Sequence, residues 1–209
     1  MTNQPNPFRL GVFTRLVDRV GASELYARAL ELFQCAEQLG FETAWVAQHH
    51  ARKEGGLPSP FVFLGAAAVH TTRIRLATGI ITLPLEQPLR LAEDAAVLDT
   101  LCGGRFELGF GTGGNALVFS MFEKLAENKQ ADYDRAFQAV REALAGKPLA
   151  PDGTTLWPPG QQLLSRLWEA TFNTHGAVRA AEHGSGLLLS RTAARSGRPA
   201  SPRRPPASW

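Results

Sequence analysis

The chain has 209 residues, of which 44% are hydrophobic and 20% charged, and its formal net charge is +3. These values indicate one globular domain with a sizeable core. No apolar run approaches the roughly 18 residues of a membrane span, which excludes an integral membrane protein. The start lacks a charged segment followed by an apolar stretch and a small-residue cleavage site, so we predict a cytoplasmic protein.

The positive charge comes from the carboxyl end. Residues 191–209 hold five of the 22 basic residues and none of the 19 acidic ones, so residues 1–190 carry a net charge of −2. This Arg- and Pro-rich segment has no aromatic residue except Trp209 and too few apolar side chains for a packed face. We predict a disordered tail over residues 192–209, a domain over residues 1–191, and no specific nucleic-acid partner; a polyanion-binding tail is the alternative.

Strand patterns alternate with helical patterns along the chain. Strands are predicted over residues 8–16, 41–50, 73–83, 105–111, 167–174 and 186–191, and helices over residues 23–39, 59–71, 88–101, 131–146 and 175–184. Ser23 is the expected cap of the first helix and Gly40 its end. Residues 147–160, rich in Pro and Gly, are expected to form a loop. This alternation implies βαβ units and a parallel sheet.

A glycine-rich corner follows the fourth strand. Gly109-Phe110-Gly111-Thr112-Gly113-Gly114 satisfies the G-x-G-x-x-G pattern that in many proteins holds the pyrophosphate of a dinucleotide. A dinucleotide fingerprint belongs in the first βαβ unit, however, and has an acidic residue about 20 positions further on, at the end of the next strand. Here three βα units precede the corner. We expect it to let the backbone approach a flat or anionic ligand, or to form a tight turn without a ligand.

The second predicted strand ends in two histidines, His49 and His50. Strand side chains alternate, so one imidazole is expected to point inward and the other away. An imidazole at the carboxyl end of a barrel strand stands where barrel enzymes place catalytic groups, and it titrates near neutral pH. A histidine bonded to backbone at a strand end is the alternative. No third ligand has the spacing for a metal site, and Cys35 and Cys102 are expected to be reduced and mostly buried.

Several of these segments together resemble one known family. Gly40-Phe41 running to AWVAQHH, the run RIRLATGIITLPLEQPLRLAEDAAVLDTLCGGRFELGFGTGG, and LWEATFNTHGAVRAAEHGSGLLLSR are similar, in this order, to the bacterial luciferase-like monooxygenases. The resemblance spans roughly residues 8–191. It implies a flavin-dependent α/β protein of the (β/α)8 TIM-barrel type. The chain offers about six βα units, so the resemblance also implies a barrel that is truncated at its carboxyl end.

The resemblance further implies the residues of the site. His49 would be the catalytic residue, acting as acid/base or positioning group near the reactive edge of the flavin. The implied cofactor contacts are Ala77, Thr78, Gly79, Gly111, Thr112 and Gly113 around the ring, Asn173, Thr174, His175 and Gly176 at the phosphate, and Arg191 facing the same pocket. A helix start can hold a phosphate through its N–H groups. The alternatives are an ordinary buried strand and an ordinary N-cap.

The implied function is a flavin-dependent monooxygenase or oxidoreductase that uses reduced FMN and O2 to oxidise a small organic substrate, acting on paired donors. A separate flavin reductase would supply the reduced FMN, with the deazaflavin F420 as the other cofactor considered and a homodimer as the assembly considered. The alternative is a non-catalytic, truncated remnant that binds a flavin or a partner chain. The substrate is not predicted, because specificity in barrels comes from the loops at the strand ends.

Overall fold

The computed structural model describes residues 8–52 and 55–189. The predicted tail and Arg191 lie outside these residues. The described strands are β1 (Gly11–Thr14), β2 (Thr43–Val46), β3 (Arg75–Thr78), β4 (Ile81–Thr82), β5 (Phe106–Gly111), β6 (Leu167–Thr171) and β7 (Gly186–Leu189). The described α-helices are α1 (Ala22–Gln38), α2 (Pro60–His70), α3 (Pro88–Leu101), α4 (Ala116–Met121), α5 (Lys129–Leu144) and α6 (Thr174–His183). Among the described helices, none is both long and apolar enough to cross a membrane.

The strands form one parallel sheet in the order β1-β2-β3-β5-β6-β7. The short strand β4 follows β3 after a cis peptide bond between Gly79 and Ile80, and it pairs with the far end of β5. Six strand positions therefore curl into a half-barrel with helices between successive strands. This confirms the predicted parallel α/β fold of an incomplete TIM-barrel type.

The hydrophobic core lies between the sheet and the surrounding helices. On β5, the alternate residues Phe106, Leu108 and Phe110 are fully buried members of this core. The residues between them face the other side of the sheet, because strand side chains alternate. Every second residue of β5 therefore points into the half-barrel, and the last of these is Gly111.

Aromatic and charged side chains fill the concave side of the half-barrel. The rings of Trp45 on β2 and Trp168 on β6 meet edge to face, with their centroids 5.3 Å apart. Glu107 on β5 accepts a hydrogen bond from Trp168 Nε1 at 2.7 Å and forms an ion pair with Arg75 on β3. These contacts connect four neighbouring strands below their carboxyl ends. They form the bottom of the space that opens at those ends.

Four details differ from the sequence predictions. The first helix begins at Ala22, with Gly21 rather than Ser23 at the cap position and no side-chain cap bond. Cys35 is exposed, because it lies beside the buried stripe of α1 and not on it, whereas Cys102 is buried as expected. The predicted strand over residues 73–83 is broken into β3 and β4. The fourth difference is α4, a short helix that the sequence patterns did not predict.

Candidate functional site

A cavity of about 640 Å³ opens at the carboxyl ends of the strands. Its walls include residues 47–50 after β2, residues 79–80 after β3, residues 111–115 at and after the end of β5, and residues 170–173 at and after the end of β6. Parallel strands bring their carboxyl ends to one edge of the sheet, where the loops gather residues that are far apart in sequence. This cavity is the candidate functional site.

Most of the predicted site residues line this cavity. They are His49, Gly79, Gly111, Thr112, Gly113, Asn173, His175 and Gly176. Ala77, Thr78 and Thr174 are not among the lining residues. Ala77 and Thr78 are fully buried, and the Thr78 hydroxyl donates to the carbonyl of Gly109 and accepts from its N–H. The structure therefore uses Thr78 to join β3 to β5. The roles of all these residues in a reaction or in binding stay predictions.

The buried side chain of Gln48 fixes the end of β2 against β4. Its Oε1 atom accepts a hydrogen bond from the backbone N–H of Thr82 at 2.7 Å. Its Nε2 atom donates to Glu86 Oε1 at 2.8 Å and to the carbonyl of Pro58 at 3.4 Å. Since both ends of this amide are engaged, the backbone that carries the two histidines is held in place.

His49 has a defined tautomer when it is neutral. Its Nδ1 atom lies 2.7 Å from the carbonyl oxygen of Gln48. A carbonyl oxygen only accepts hydrogen bonds, so Nδ1 carries the hydrogen and Nε2 keeps the lone pair. Burial lowers the pKa of His49, and the positive charges of Arg15 and Arg52 and the neighbouring His50 lower it further. The ring is thus a neutral proton acceptor at pH 7.

His50 lines the same cavity, which corrects the expectation that the two rings point to opposite sides. The reason is that β2 ends at Val46, so strand alternation does not reach the pair. The ring of His50 meets Phe122 at 4.7 Å between centroids. Its Nε2 atom is buried and has no hydrogen-bond partner among the described residues. Burial lowers the pKa of His50, with the charge of Glu86 acting in the opposite direction.

The lowered pKa values of His49 and His50 predict that mild acid destabilises the fold. Each folded pKa lies below the ordinary histidine value of 6.5, so the unfolded chain binds these protons more tightly, and stability falls as the pH drops through that value. We expect a lower Tm at pH 5 than at pH 7.5, and a smaller difference in the double variant H49Q/H50Q. Thermal melts at both pH values measure this. His70→Gln, at an exposed position, is the control, and equal pH slopes for parent and double variant would contradict the prediction.

The glycine-rich corner packs closely against the segment that contains β4. A Cβ atom on Gly111 would lie 2.8 Å from Cδ1 of Ile80, and one on Gly113 would lie 2.5 Å from Cγ2 of Thr82. Such contacts are too close for a side chain, and Gly113 also has a φ of +68°. The backbone of the corner therefore forms the cavity wall itself.

The amino end of α6 also forms part of the cavity wall. Asn173 is its N-cap, and the Asn173 Oδ1 atom accepts from the N–H of Gly176 at 2.8 Å. The hydroxyl of Thr171 accepts from the N–H of Asn173 at 3.2 Å. A Cβ atom on Gly176 would lie only 2.1 Å from Thr171 Oγ1. The first turn of α6 thus lies directly on the end of β6, with its positive end at the cavity.

Two basic residues that the sequence analysis missed line the cavity together with this helix end. Lys129 is the first residue of α5, and Arg179 lies three residues beyond Gly176 on α6. The Arg179 guanidinium lies 4.9 Å from the ring centroid of Tyr133, and its Nε atom lies 3.4 Å from Oε2 of the buried Glu169. Helical spacing from Gly176 could have indicated Arg179. Nothing in the local sequence places Lys129 here.

Tyr133 and Glu169 support the Arg179 guanidinium from below. The Tyr133 hydroxyl donates to Glu169 Oε2 at 3.0 Å, and the Nδ1 atom of His183 lies 2.8 Å from the other carboxylate oxygen. Burial, followed by the charge of Glu169, raises the pKa of Tyr133, so its hydroxyl remains a donor. Contacts among residues of α5, α6 and β6 therefore hold the Arg179 side chain in place.

Comparison with known proteins identifies the family. The family model described as luciferase-like monooxygenase matches residues 8–199. The chain belongs to this family. Limonene 1,2-monooxygenase of Rhodococcus erythropolis is 30% identical over 168 residues, which cover 76% of the chain and 43% of that protein. The oxygenase component of the flavin-dependent trigonelline monooxygenase of Acinetobacter baylyi is 33% identical over 99 residues, which cover 47% of the chain and 28% of that protein.

Solved structures of monooxygenases share the fold. Monooxygenase RslO1 from Streptomyces bottropensis has a TM-score of 0.73 at 30% identity, covering 86% of the chain and 59% of RslO1. The oxygenating constituent of 3,6-diketocamphane monooxygenase from Pseudomonas putida, solved in complex with FMN, has a TM-score of 0.77 at 16% identity, covering 88% of the chain and 58% of that protein. The chain thus spans little more than half the length of these proteins.

Proposed function

We propose that this luciferase-like family member binds FMN in the cavity and, with reduced FMN and O2, oxidises a small organic substrate. The observation that carries the proposal is that one cavity joins His49, the glycine-rich corner and a positively charged helix end. A separate flavin reductase is the proposed source of the reduced cofactor, as the name "oxygenase component" of the trigonelline enzyme suggests for that relative. The cytoplasm is the proposed location.

The residues present fit FMN. Gly111 and Gly113 line the cavity without a side chain, which suits the close approach of a flat ring to the backbone. The start of α6, Lys129 and Arg179 suit a phosphate, because all three contribute donors and positive charge. When bound, reduced FMN supplies the electrons and the oxygen chemistry of a monooxygenase, while the protein supplies orientation and a shielded space.

His49 is proposed as the proton-handling residue of the reaction. Its neutral ring keeps Nε2 free to accept a proton, and the bond from Nδ1 to the Gln48 carbonyl fixes the ring orientation. Gln48 in turn is held by Thr82 and Glu86. Orientation of the general base therefore depends on the junction of β2 with β4.

Thermal melts with FMN or riboflavin, which lacks the phosphate, test the binding step. A ligand that binds only the folded state stabilises it by about 2.7 kcal/mol at a hundredfold excess over its Kd, or roughly 5–10 °C for a chain of this size. We expect FMN to raise the Tm more than riboflavin at equal concentration. The double variant K129Q/R179Q is expected to remove most of this difference. Lys124→Gln, an exposed position outside the cavity, is the matched control.

Equal shifts with FMN and riboflavin, or an unchanged difference in K129Q/R179Q, would rule out the proposed phosphate site. A larger shift with F420 than with FMN would reassign the cofactor. Turnover is then measured on the FMN-loaded chain with a flavin reductase, NADH and O2, and substrate-dependent oxygen uptake without release of hydrogen peroxide supports monooxygenation.

The second candidate is a non-catalytic flavin-binding or partner-binding protein. It is favoured by the open sheet, in which β1 and β7 each pair on one side only among the described strands. It is also favoured by Phe13, a β1 residue that is 56% exposed. FMN binding without substrate oxidation, combined with oligomers that grow with concentration in light scattering, would support this candidate over the enzyme.

A further inference from the structure

The charges of the cavity wall all have the same sign. Among its described lining residues, Arg52, Lys129 and Arg179 are cationic and none is a carboxylate. The carboxylate of Glu86 is near His50 but is not part of the wall, and it accepts a hydrogen bond from Gln48. A cationic ligand would therefore find no counter-charge on the described wall, whereas an anionic ligand would be attracted by Arg52 and by Lys129 and Arg179.

Arg52 belongs to the segment between β2 and α2, whereas Lys129 and Arg179 belong to α5 and α6. Arg52 follows the histidine pair, and its charge contributes to the lowered pKa of His49. Arg52 also lines a second, smaller cavity of about 350 Å³, whose wall includes Arg19, Val20 and Leu25. Arg52 thus lines both cavities, and its charge acts on the residue proposed to handle protons.

Besides the cations and the polar side chains of Gln48, Thr82 and Asn115, the cavity wall contains large apolar side chains. Ile80, Leu85, Val118 and Phe119 line it, with the last two contributed by the short helix α4. His49 and His50 are neutral at pH 7, and of the cations in the wall only Arg52 is among the charges that act on His49. A molecule beside His49 would pack its body on apolar side chains and meet one cation, Arg52.

From this arrangement we infer the substrate class of the proposed monooxygenase: an apolar, flat or branched body that carries a carboxylate or a similar anion, with the anion paired to Arg52. The inference rests on the proposed function, because it assumes that FMN occupies the α6 end of the same cavity. Asp18 lies in the wall of the smaller cavity, where its negative charge could compete with an anionic ligand for Arg52. It does not argue against the inference, since its Oδ2 atom is paired with Arg28 Nη1 at 2.7 Å. Arg52 is thereby assigned as a specificity-determining residue.

Three probes of one shape separate the possibilities: naphthoate, the neutral naphthamide and the cationic naphthylmethylamine. Each is titrated into the FMN-loaded chain, with binding followed by calorimetry and by the change in flavin absorbance. We expect naphthoate to bind about tenfold more tightly than naphthamide, the lower range for a hydrogen bond to a charged group, because Arg52 is exposed to solvent. Naphthylmethylamine is expected to bind most weakly, and the preference for naphthoate is expected to shrink at high salt.

The variants decide whether Arg52 causes the preference. Arg52→Gln is expected to bind naphthoate and naphthamide equally, and Arg52→Lys to recover part of the preference. Arg15→Gln is the matched control, because Arg15 also affects the pKa of His49 but lines neither cavity. Equal binding of naphthoate and naphthamide by the parent chain, or a preference that survives Arg52→Gln, would overturn the inference.

Failure of the proposed function gives a different result. A chain that shows no FMN-dependent Tm shift or absorbance change fails as a flavin protein, whatever it does with naphthoate. The same titrations on the FMN-free parent and on Arg52→Gln still decide the inference about Arg52. In that case K129Q/R179Q serves as the reference that keeps naphthoate from the α6 end.

Discussion

Replacing Asp99 with alanine is expected to remove about 3–5 kcal/mol from the free energy of unfolding, the range for losing one partner of a buried ion pair. Asp99 lies in α3 and is 1% exposed, and both of its oxygens bond to Arg166, at 2.6 and 2.9 Å. The same carboxylate accepts from the N–H of Phe106 at 3.3 Å and from Gln162 at 3.1 Å. Its loss would leave the Arg166 charge with no counter-charge in a nearly closed environment.

The position of this pair explains why stability rather than binding should change. Arg166 also donates to the carbonyls of Gly104 and Phe106, so it closes the amino end of β5. The cavity lies at the opposite, carboxyl end of the same strand. We therefore expect chemical denaturation of D99A to shift to lower urea, with an unchanged FMN Kd for the fraction that remains folded.

Asp94→Ala is the matched control on the same helix. Its carboxylate pairs with Arg90 at 2.6 Å, but the Arg90 side chain is 69% exposed, and such surface pairs contribute roughly 0–1 kcal/mol. A second test replaces both buried partners by apolar residues, as in D99L/R166M, which is expected to recover much of the loss. Similar urea midpoints for D99A and D94A would show that the buried pair does not stabilise the fold.

Much of the fold could be predicted from the sequence because its elements carry strong periodic signals. The helix over residues 88–101 matches α3 in both bounds, and the loop over residues 147–160 contains no described helix or strand. The two elements that were predicted wrongly have different physical reasons, one local and one tertiary. Ala116–Met121 forms a six-residue helix of nearly uniform apolar character, so it shows no helical period. The break between β3 and β4 depends on packing against β5, which is distant in sequence.

The residues of the candidate site likewise divide into those that the sequence indicated and those that it did not. His49 and the glycine-rich corner were marked by residue type at the ends of predicted strands, and the family resemblance added the start of α6. Lys129 and Arg179 were missed because only the tertiary fold brings α5 beside α6, with Glu169 and Tyr133 orienting the guanidinium. Thr78, a polar strand residue predicted at the cofactor, bonds to the backbone of β5, and its contact with a cofactor stays a prediction.

Gly176→Ala is expected to weaken FMN binding by more than tenfold, the largest change in binding that one methyl group should cause in this cavity. The added Cβ atom would lie 2.1 Å from Oγ1 and 2.7 Å from Cβ of Thr171, distances that real Cβ contacts do not reach. Helix α6 must therefore move away from β6. Because Asn173 caps the helix through the N–H of Gly176, the cap bond and the proposed phosphate donors would move together. An FMN Kd from fluorescence titration measures the loss.

Gly114→Ala is the control for this substitution. Gly114 also lines the cavity, yet a Cβ atom there would meet nothing within 4 Å, so its FMN affinity is expected to stay within about twofold of the parent. Riboflavin separates displacement of the phosphate site from general damage. Gly176→Ala should lose far more affinity for FMN than for riboflavin, since the proposed ring contacts are residues of the glycine-rich corner after β5 and not of α6. A Gly176→Ala chain that melts like the parent and still prefers FMN over riboflavin would mean that the start of α6 does not hold the phosphate.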